Sequence, residues 1–198
     1  MIGSMTPHRP TLIADAAIAL IAERGLRGLT HRAVDEEAGL PAGSTSNLAR
    51  TRAALLDLAL ARIVERETEG SPVTAGPLPD GAAARDLLVE GGADLLHRAL
   101  TVGRTLTLAR LELALEATRR PELRTGYDRL GARFTDLATA LLARCGSADP
   151  AGDARRLIRW CDGVLFNSTA GSGHRHVPTA EELRGETRRY LAALLDRD

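Results

Sequence analysis

The chain has 198 residues, enough for one or two domains with a real apolar core and no need of disulfide or metal staples. Its 26 basic residues are all Arg and are balanced by 26 acidic ones, so no global field draws it to nucleic acid or an anionic membrane; any such binding must come from local placement of charge. Aromatics make up only 3%, which leaves packing to Leu, Ala, Ile and Val and suits helices. Cys145 and Cys161 lie in no CxxC spacing and are expected as buried, reduced thiols. The opening MIGSMTPHRPT lacks the apolar core of a signal peptide, and no run approaches the roughly 18 apolar residues of a membrane span, so a cytoplasmic protein without a membrane partner is expected.

In chain order, Ile13, Ala17, Leu20 and Ile21 form one face of a helix over 11–24, with Pro10 before it and Gly25 as its stop. Leu26 and Leu29 lead to Thr30, an N-cap for a short helix whose buried edge is Val34 and Ala38 and whose end is Gly39. Residues 42–49 read as a third helix, built from Gly43, Ser44, Thr45, Ser46 and Asn47; these are poor helix formers, so tertiary packing or a ligand must hold it. Thr51 caps a longer helix running to about Glu69 through Leu55, Leu58 or Ala59, and Ile63. Residues 70–81 hold three Pro and three Gly and read as a linker, dividing the chain into domains 1–69 and 70–198.

Four or five helices follow. Leu88, Gly91, Leu95 and Ala99 share a face in the first. In 104–119, Leu106, Leu108, Leu111, Leu113 and Leu115 alternate as a strand would, but the strong helix formers around them argue for a helix, apolar on nearly all sides and therefore central to the second domain. Pro121 opens an amphipathic helix through Leu123, Tyr127, Leu130, Phe134, Leu137 and Leu141. Leu157, Cys161, Val164 and Leu165 mark the next. Thr179 caps the last, with Leu183, Thr187, Tyr190, Leu191 and Leu194. No strand and no repeat is visible, and the expected fold class is all-α.

A capped helix, a tight turn and a second short helix suit a DNA-reading helix-turn-helix. A recognition helix lies in a major groove about 12 Å wide and favours small or hydrogen-bonding side chains such as Ser44, Ser46 and Asn47, with Asn able to pair with adenine. Thr30 and Thr51 open helix N-termini that attract phosphate, with Arg32 and Arg52 alongside. The expected DNA-contacting set is Thr30, Arg32, Ala42, Gly43, Ser44, Ser46, Asn47, Thr51 and Arg52.

Residues 11–66 resemble the N-terminal domain of the tetracycline-repressor (TetR) family of bacterial regulators. The resemblance runs through Thr30, Arg32, Val34, Ala38, Gly39, Leu40, Gly43 and Ser44, then Thr51-Arg52-Ala53-Ala54-Leu55-Leu56; residues 80–198 match more loosely, in helix count and in LELALEATRRPELR. It implies a three-helix DNA-binding domain, then a helical bundle that binds a small, apolar effector and dimerises through the last two helices. A double-stranded operator is the implied partner and repression the implied effect. Three departures from the pattern stand out. Ser46, Leu48 and Ala49 stand where aromatics are usual, Ala42 stands for a frequent Lys, and Asp35 stands where a small buried Ala is common. With Glu36 and Glu37 it forms an acidic run that would repel phosphate if it faced the backbone.

For the effector pocket, Glu112, Trp160, Phe166 and Asn167 are candidates; the simpler reading of Glu116 is a pair with Arg119 or Arg120. His174 and His176 lack the further ligands of a metal site, no phosphate loop or nucleophile elbow is present, and no cofactor, metal or catalytic residue is expected. Two other readings remain open: a ligand- or partner-binding dimer with degenerate DNA heads, and a helical-bundle enzyme.

Overall fold

The computed structural model describes residues 8–68 and 77–195. Most of the expected linker 70–81, and the expected helix end near Glu69, lie outside them. The described residues form nine helices and no strand: α1 (Arg9–Gly28), α2 (His31–Glu37), α3 (Ser44–Leu48), α4 (Arg52–Thr68), α5 (Gly81–Leu100), α6 (Arg104–Ala117), α7 (Pro121–Arg144), α8 (Pro150–Thr169) and α9 (Ala180–Leu195). The all-α expectation holds.

Packing divides the chain into two units. One runs to Arg66 and takes in Leu108–Tyr127; the other combines Glu67–Thr107 with the chain from Asp128. The first unit packs the apolar face of α1 (Ile13, Ala17, Leu20, Ile21) with Leu29, Val34 and the Leu55–Ala59–Ile63 stripe of α4, all fully or almost fully buried. Arg62 on α4 closes an ion pair of 2.8 Å with Asp15 on α1. Gly25 does more than stop α1. Its φ of 63° and ψ of −177° put a kink inside the helix, and Leu26–Gly28 continue as one further turn. That backbone region is accessible essentially to Gly alone.

In the second unit, α5 packs on α8 and α9. One core cluster joins Leu88, Leu141, Leu142, Leu157, Leu191 and Leu194, and another joins Leu96, Leu100, Leu165 and Leu183. Trp160 stacks on Tyr190 at 5.1 Å between centroids, and Arg184 ties α9 to α5 through Glu90 at 2.6 Å. α9 opens on a reciprocal capping box. Thr179 N–H donates to Glu182, and Glu182 N–H donates to the Thr179 hydroxyl.

One sequence expectation changes here, and one choice that the sequence left open is narrowed. α6 is not wrapped in core. It buries Thr107, Ala109, Leu113 and Ala117, while Leu115 is 60% exposed, and from Leu108 onward it belongs to the first unit. The apolar stripes of α8 and α9 face inward: Leu157, Leu165, Leu183, Leu191 and Leu194 are all buried within the chain. An apolar stripe reports that a face is covered, not what covers it.

Replacing Gly25 with Ala tests the kink. A Cβ there would meet nothing nearer than a Glu112 carboxylate oxygen at 4.0 Å, so any cost is backbone strain. Gly25→Ala should destabilise the protein by about 1–3 kcal/mol, read as a lower urea midpoint with an unchanged slope.

Candidate nucleic-acid interface

α2 ends in a Schellman motif. Gly39, with φ 65°, donates to the Glu36 carbonyl at 3.2 Å, and Leu40 donates to the Asp35 carbonyl at 2.9 Å. Pro41 and Ala42 then turn the chain into α3. The third helix is shorter than the expected 42–49. Gly43 sits at φ 89° outside it, and only Ser44–Leu48 are helical. Five residues of this composition cannot sustain a helix in water.

The anchor is Asp35. It is 4% exposed, its Oδ1 accepts from the Thr45 N–H at 2.7 Å and the Thr45 hydroxyl at 2.6 Å, and its Oδ2 accepts from the Gly43 N–H at 2.7 Å. Thr45 itself is fully buried. Gly43 has no side chain to cap the helix it precedes, so a carboxylate from α2 does so instead. Of the acidic run, Asp35 therefore faces the protein, and Glu36 is held by Arg32 at 2.8 Å. At the other end of α3, Ala49 is buried and its carbonyl accepts from His31 Nε2 at 2.6 Å.

The expected contact residues separate into two groups. Ala42, Gly43, Ser46 and Asn47 are exposed along one side of the turn and α3, next to Leu48, which is 45% exposed. Thr30 and Thr51 are exposed caps, accepting at 3.1 Å from Ala33 N–H and Ala54 N–H; Arg32 and Arg50 are also exposed. Ser44 points inward, buried, with its hydroxyl donating to the Pro41 carbonyl at 2.6 Å. Arg52 is half-buried, donating to the Leu29 carbonyl at 2.6 Å and to the Leu26 carbonyl, so its guanidinium closes the last turn of α1 just before the helix-turn-helix. Sequence reasoning missed both the Asp35 anchor and the Arg52 clamp. The signal for the first was present: an acidic residue at an apolar position needs partners, and a five-residue helix needs a cap.

The four expected pocket residues do not converge. Trp160 and Asn167 line one concavity of about 430 Å³ between α8, the α8–α9 loop and α9, together with Gly163, Val164, His176 and Glu186. Phe166 is not among its lining residues and is 54% exposed. Glu112 belongs to the other unit, beside Gly25. Glu116 pairs with Arg120 at 2.5 Å and with Arg119 at 3.6 Å. Among the described residues no group of His, Cys, Asp and Glu could hold a metal ion, and no helix is long and apolar enough to cross a membrane.

Residues 83–197 match the family pattern described as "Tetracyclin repressor-like, C-terminal domain". The chain belongs to the tetracycline-repressor family. A TetR-family member from Streptomyces coelicolor A3 is 30% identical, with 93% of this chain and 98% of that one covered at a TM-score of 0.69. The multidrug binding protein EbrR, complexed with proflavin, is 32% identical over 92% of this chain and 99% of its own, at a TM-score of 0.57. A TetR-family regulator from Rhodococcus sp. has the same fold at a TM-score of 0.76 and 22% identity, covering 95% and 98%. No curated protein sequence matches the chain. The chain is thus a ligand-responsive, DNA-binding transcriptional regulator of the TetR family.

Burial alone would raise the Asp35 carboxyl, but the hydrogen bonds from the Thr45 hydroxyl and from the Thr45 and Gly43 N–H groups outweigh it and hold the group below the ordinary aspartate range. A carboxyl lowered in the folded state contributes its full stability above its unfolded value of about 3.9 and loses it as pH falls through the folded value. Asp35→Asn should therefore cost about 1.5–3 kcal/mol at neutral pH. The gap to wild type should narrow below about pH 4 in urea titrations followed by circular dichroism. Glu116, Asp149 and Glu182 are lowered too, so the difference between the two proteins, not either curve, reports on Asp35.

Proposed function

We propose that the chain acts as a homodimeric repressor, with residues 1–69 as the DNA-binding domain and 70–198 as the effector-binding and dimerisation domain. Two α3 helices enter successive major grooves of a near-palindromic operator. Ser46 and Asn47 contact base edges, with Ala42 and Gly43 allowing close approach. Thr30, Arg32, Arg50 and Thr51 hold the phosphates. The observation that carries this reading is the split along α3. Ser44 and Thr45 are spent on internal hydrogen bonds, while Ser46 and Asn47 are left exposed on the outer side.

Dimerisation runs through the outward faces of α8 and α9. It is supported by the exposed Phe166 ring and by Gly163, whose position leaves open space beside the helix. The effector is a small molecule. EbrR has been captured with imidazole, proflavin and ethidium, which supports such a ligand for this chain. Its binding must favour one dimer geometry over the other if it is to release DNA.

Selection of duplexes from a randomised pool, followed by fluorescence anisotropy, tests the reading. The wild-type protein should enrich a near-palindrome, and Asn47→Ala should relax preference at one base position per half-site while the other positions hold. Equal binding of selected and scrambled duplexes by the wild type would sink it.

The two nearby arginines should behave differently. Arg50→Ala should lower the slope of log affinity against log salt by about 1 for each phosphate that is no longer neutralised, without changing stability. Arg52→Ala should lower the urea midpoint, because it removes the side-chain donor to the Leu29 carbonyl and one of the two donors to the Leu26 carbonyl. A salt slope that falls with Arg52→Ala and not with Arg50→Ala would reverse the assignment.

A further inference from the structure

We infer that His31 and Asp35 are positioning residues for operator recognition: one face of α2 grips both ends of α3 through polar contacts and so sets the angle at which Ser46 and Asn47 meet the bases. This rests on α3 being the reading helix. His31 and Asp35 are four residues apart, hence neighbours on α2. Asp35 takes the Gly43 and Thr45 N–H groups and the Thr45 hydroxyl at the start of α3. His31 donates to the Ala49 carbonyl at its finish. Between these two points lie only Ser46, Asn47 and Leu48, all exposed.

An apolar contact tolerates rotation about the helix axis. Four directional hydrogen bonds at two ends do not, because turning α3 by even one position would break bonds to a buried carboxylate. The N–H of Ser44, also at the head of α3, is bonded to the Pro41 carbonyl at 3.1 Å. The carboxylate of Asp35 thus takes from within two N–H groups that would otherwise be open to a backbone phosphate. α3 is left to address bases by its side chains.

The test compares Asp35→Asn, Thr45→Val, Thr45→Ser and His31→Ala in the full-length protein, by anisotropy against the duplex that the wild type selects and against a scrambled duplex. Asp35→Asn and Thr45→Val should lose preference for the selected duplex by about tenfold or more, the effect of one lost charge-assisted hydrogen bond. His31→Ala should lose preference in the same direction. Thr45→Ser, which keeps the hydroxyl, should retain it. Binding to the scrambled duplex and its salt dependence should be unchanged in all four, since no phosphate contact is touched. Helix content by circular dichroism should stay at the wild-type level.

The inference is overturned if folded Asp35→Asn keeps the wild-type preference. It is also overturned if Thr45→Ser loses as much as Thr45→Val, or if each loss of preference comes with loss of helix content, which would make the contacts merely structural. A wild type that selects no duplex overturns the DNA-reading assignment of α3 and this inference with it. A wild type that selects while the variants select equally well overturns this inference alone.

Discussion

A helix of five residues made from Ser, Thr, Ser, Asn and Leu does not form on its own, because nucleation costs more than one turn returns and four of the five have weak propensity. Everything that α3 does therefore depends on what it is fastened to. Here the fastening is a buried carboxylate. Taking Asp35 out of water is unfavourable by itself, and it is tolerated because three donors meet it within 2.7 Å. The positions where related domains place aromatics hold Ser46, Leu48 and Ala49, and Ala49 is buried without a ring. Polar fastening stands in for apolar fastening at this site, and it brings direction with it.

The same need to satisfy backbone groups explains Arg52. The kink at Gly25 sets off the last turn of α1, whose Leu26 carbonyl accepts from the Leu29 N–H at 3.3 Å. Arg52, the first residue of α4, adds a second donor to that carbonyl and one to the carbonyl of Leu29. An arginine next to a helix N-terminus reads in the sequence as a phosphate ligand, yet its guanidinium is already committed. Charge on the DNA-facing side is sparse as a result. Arg32 shares its charge with Glu36, Asp35 is turned inside, and Arg50 is left exposed. With few free cations here to displace counterions, charge alone would give only weak non-specific affinity for DNA.

The chain's punctuation was legible before the fold was known. Thr30, Gly39, Thr51, Pro121 and Thr179 each mark a helix end through conformations or hydrogen bonds that are local in sequence, and Gly25 marks the kink in α1. What was not legible is what each helix face meets. The stripes of α8 and α9 fit an interface between copies as well as they fit a core, and only the packing showed Leu157, Leu183 and Leu191 covered from within. Trp160 and Asn167 shared a face, as their spacing of seven predicts, while Phe166 did not. Glu112 was paired with them by chemistry alone, and chemistry does not say which unit a helix joins.

α6 makes that last point physical. It begins in the second unit, where Arg104 donates to the Thr169 carbonyl at 3.1 Å and Thr107 to the Ala99 carbonyl at 2.7 Å. From Leu108 it belongs with α1–α4, where Glu112 lies beside Gly25 and the Glu116 carboxyl is lowered first by its hydrogen bond to Arg120 and also by the charge of Arg52. The unit that carries α3 is therefore not a contiguous block of sequence, and a boundary drawn at a linker describes the chain and not the packing. The residues that Glu112 and Glu116 reach, Gly25 and Arg52, are the ones that set the end of α1, and from that end the chain passes through Leu29 to Thr30, where the DNA-reading element begins.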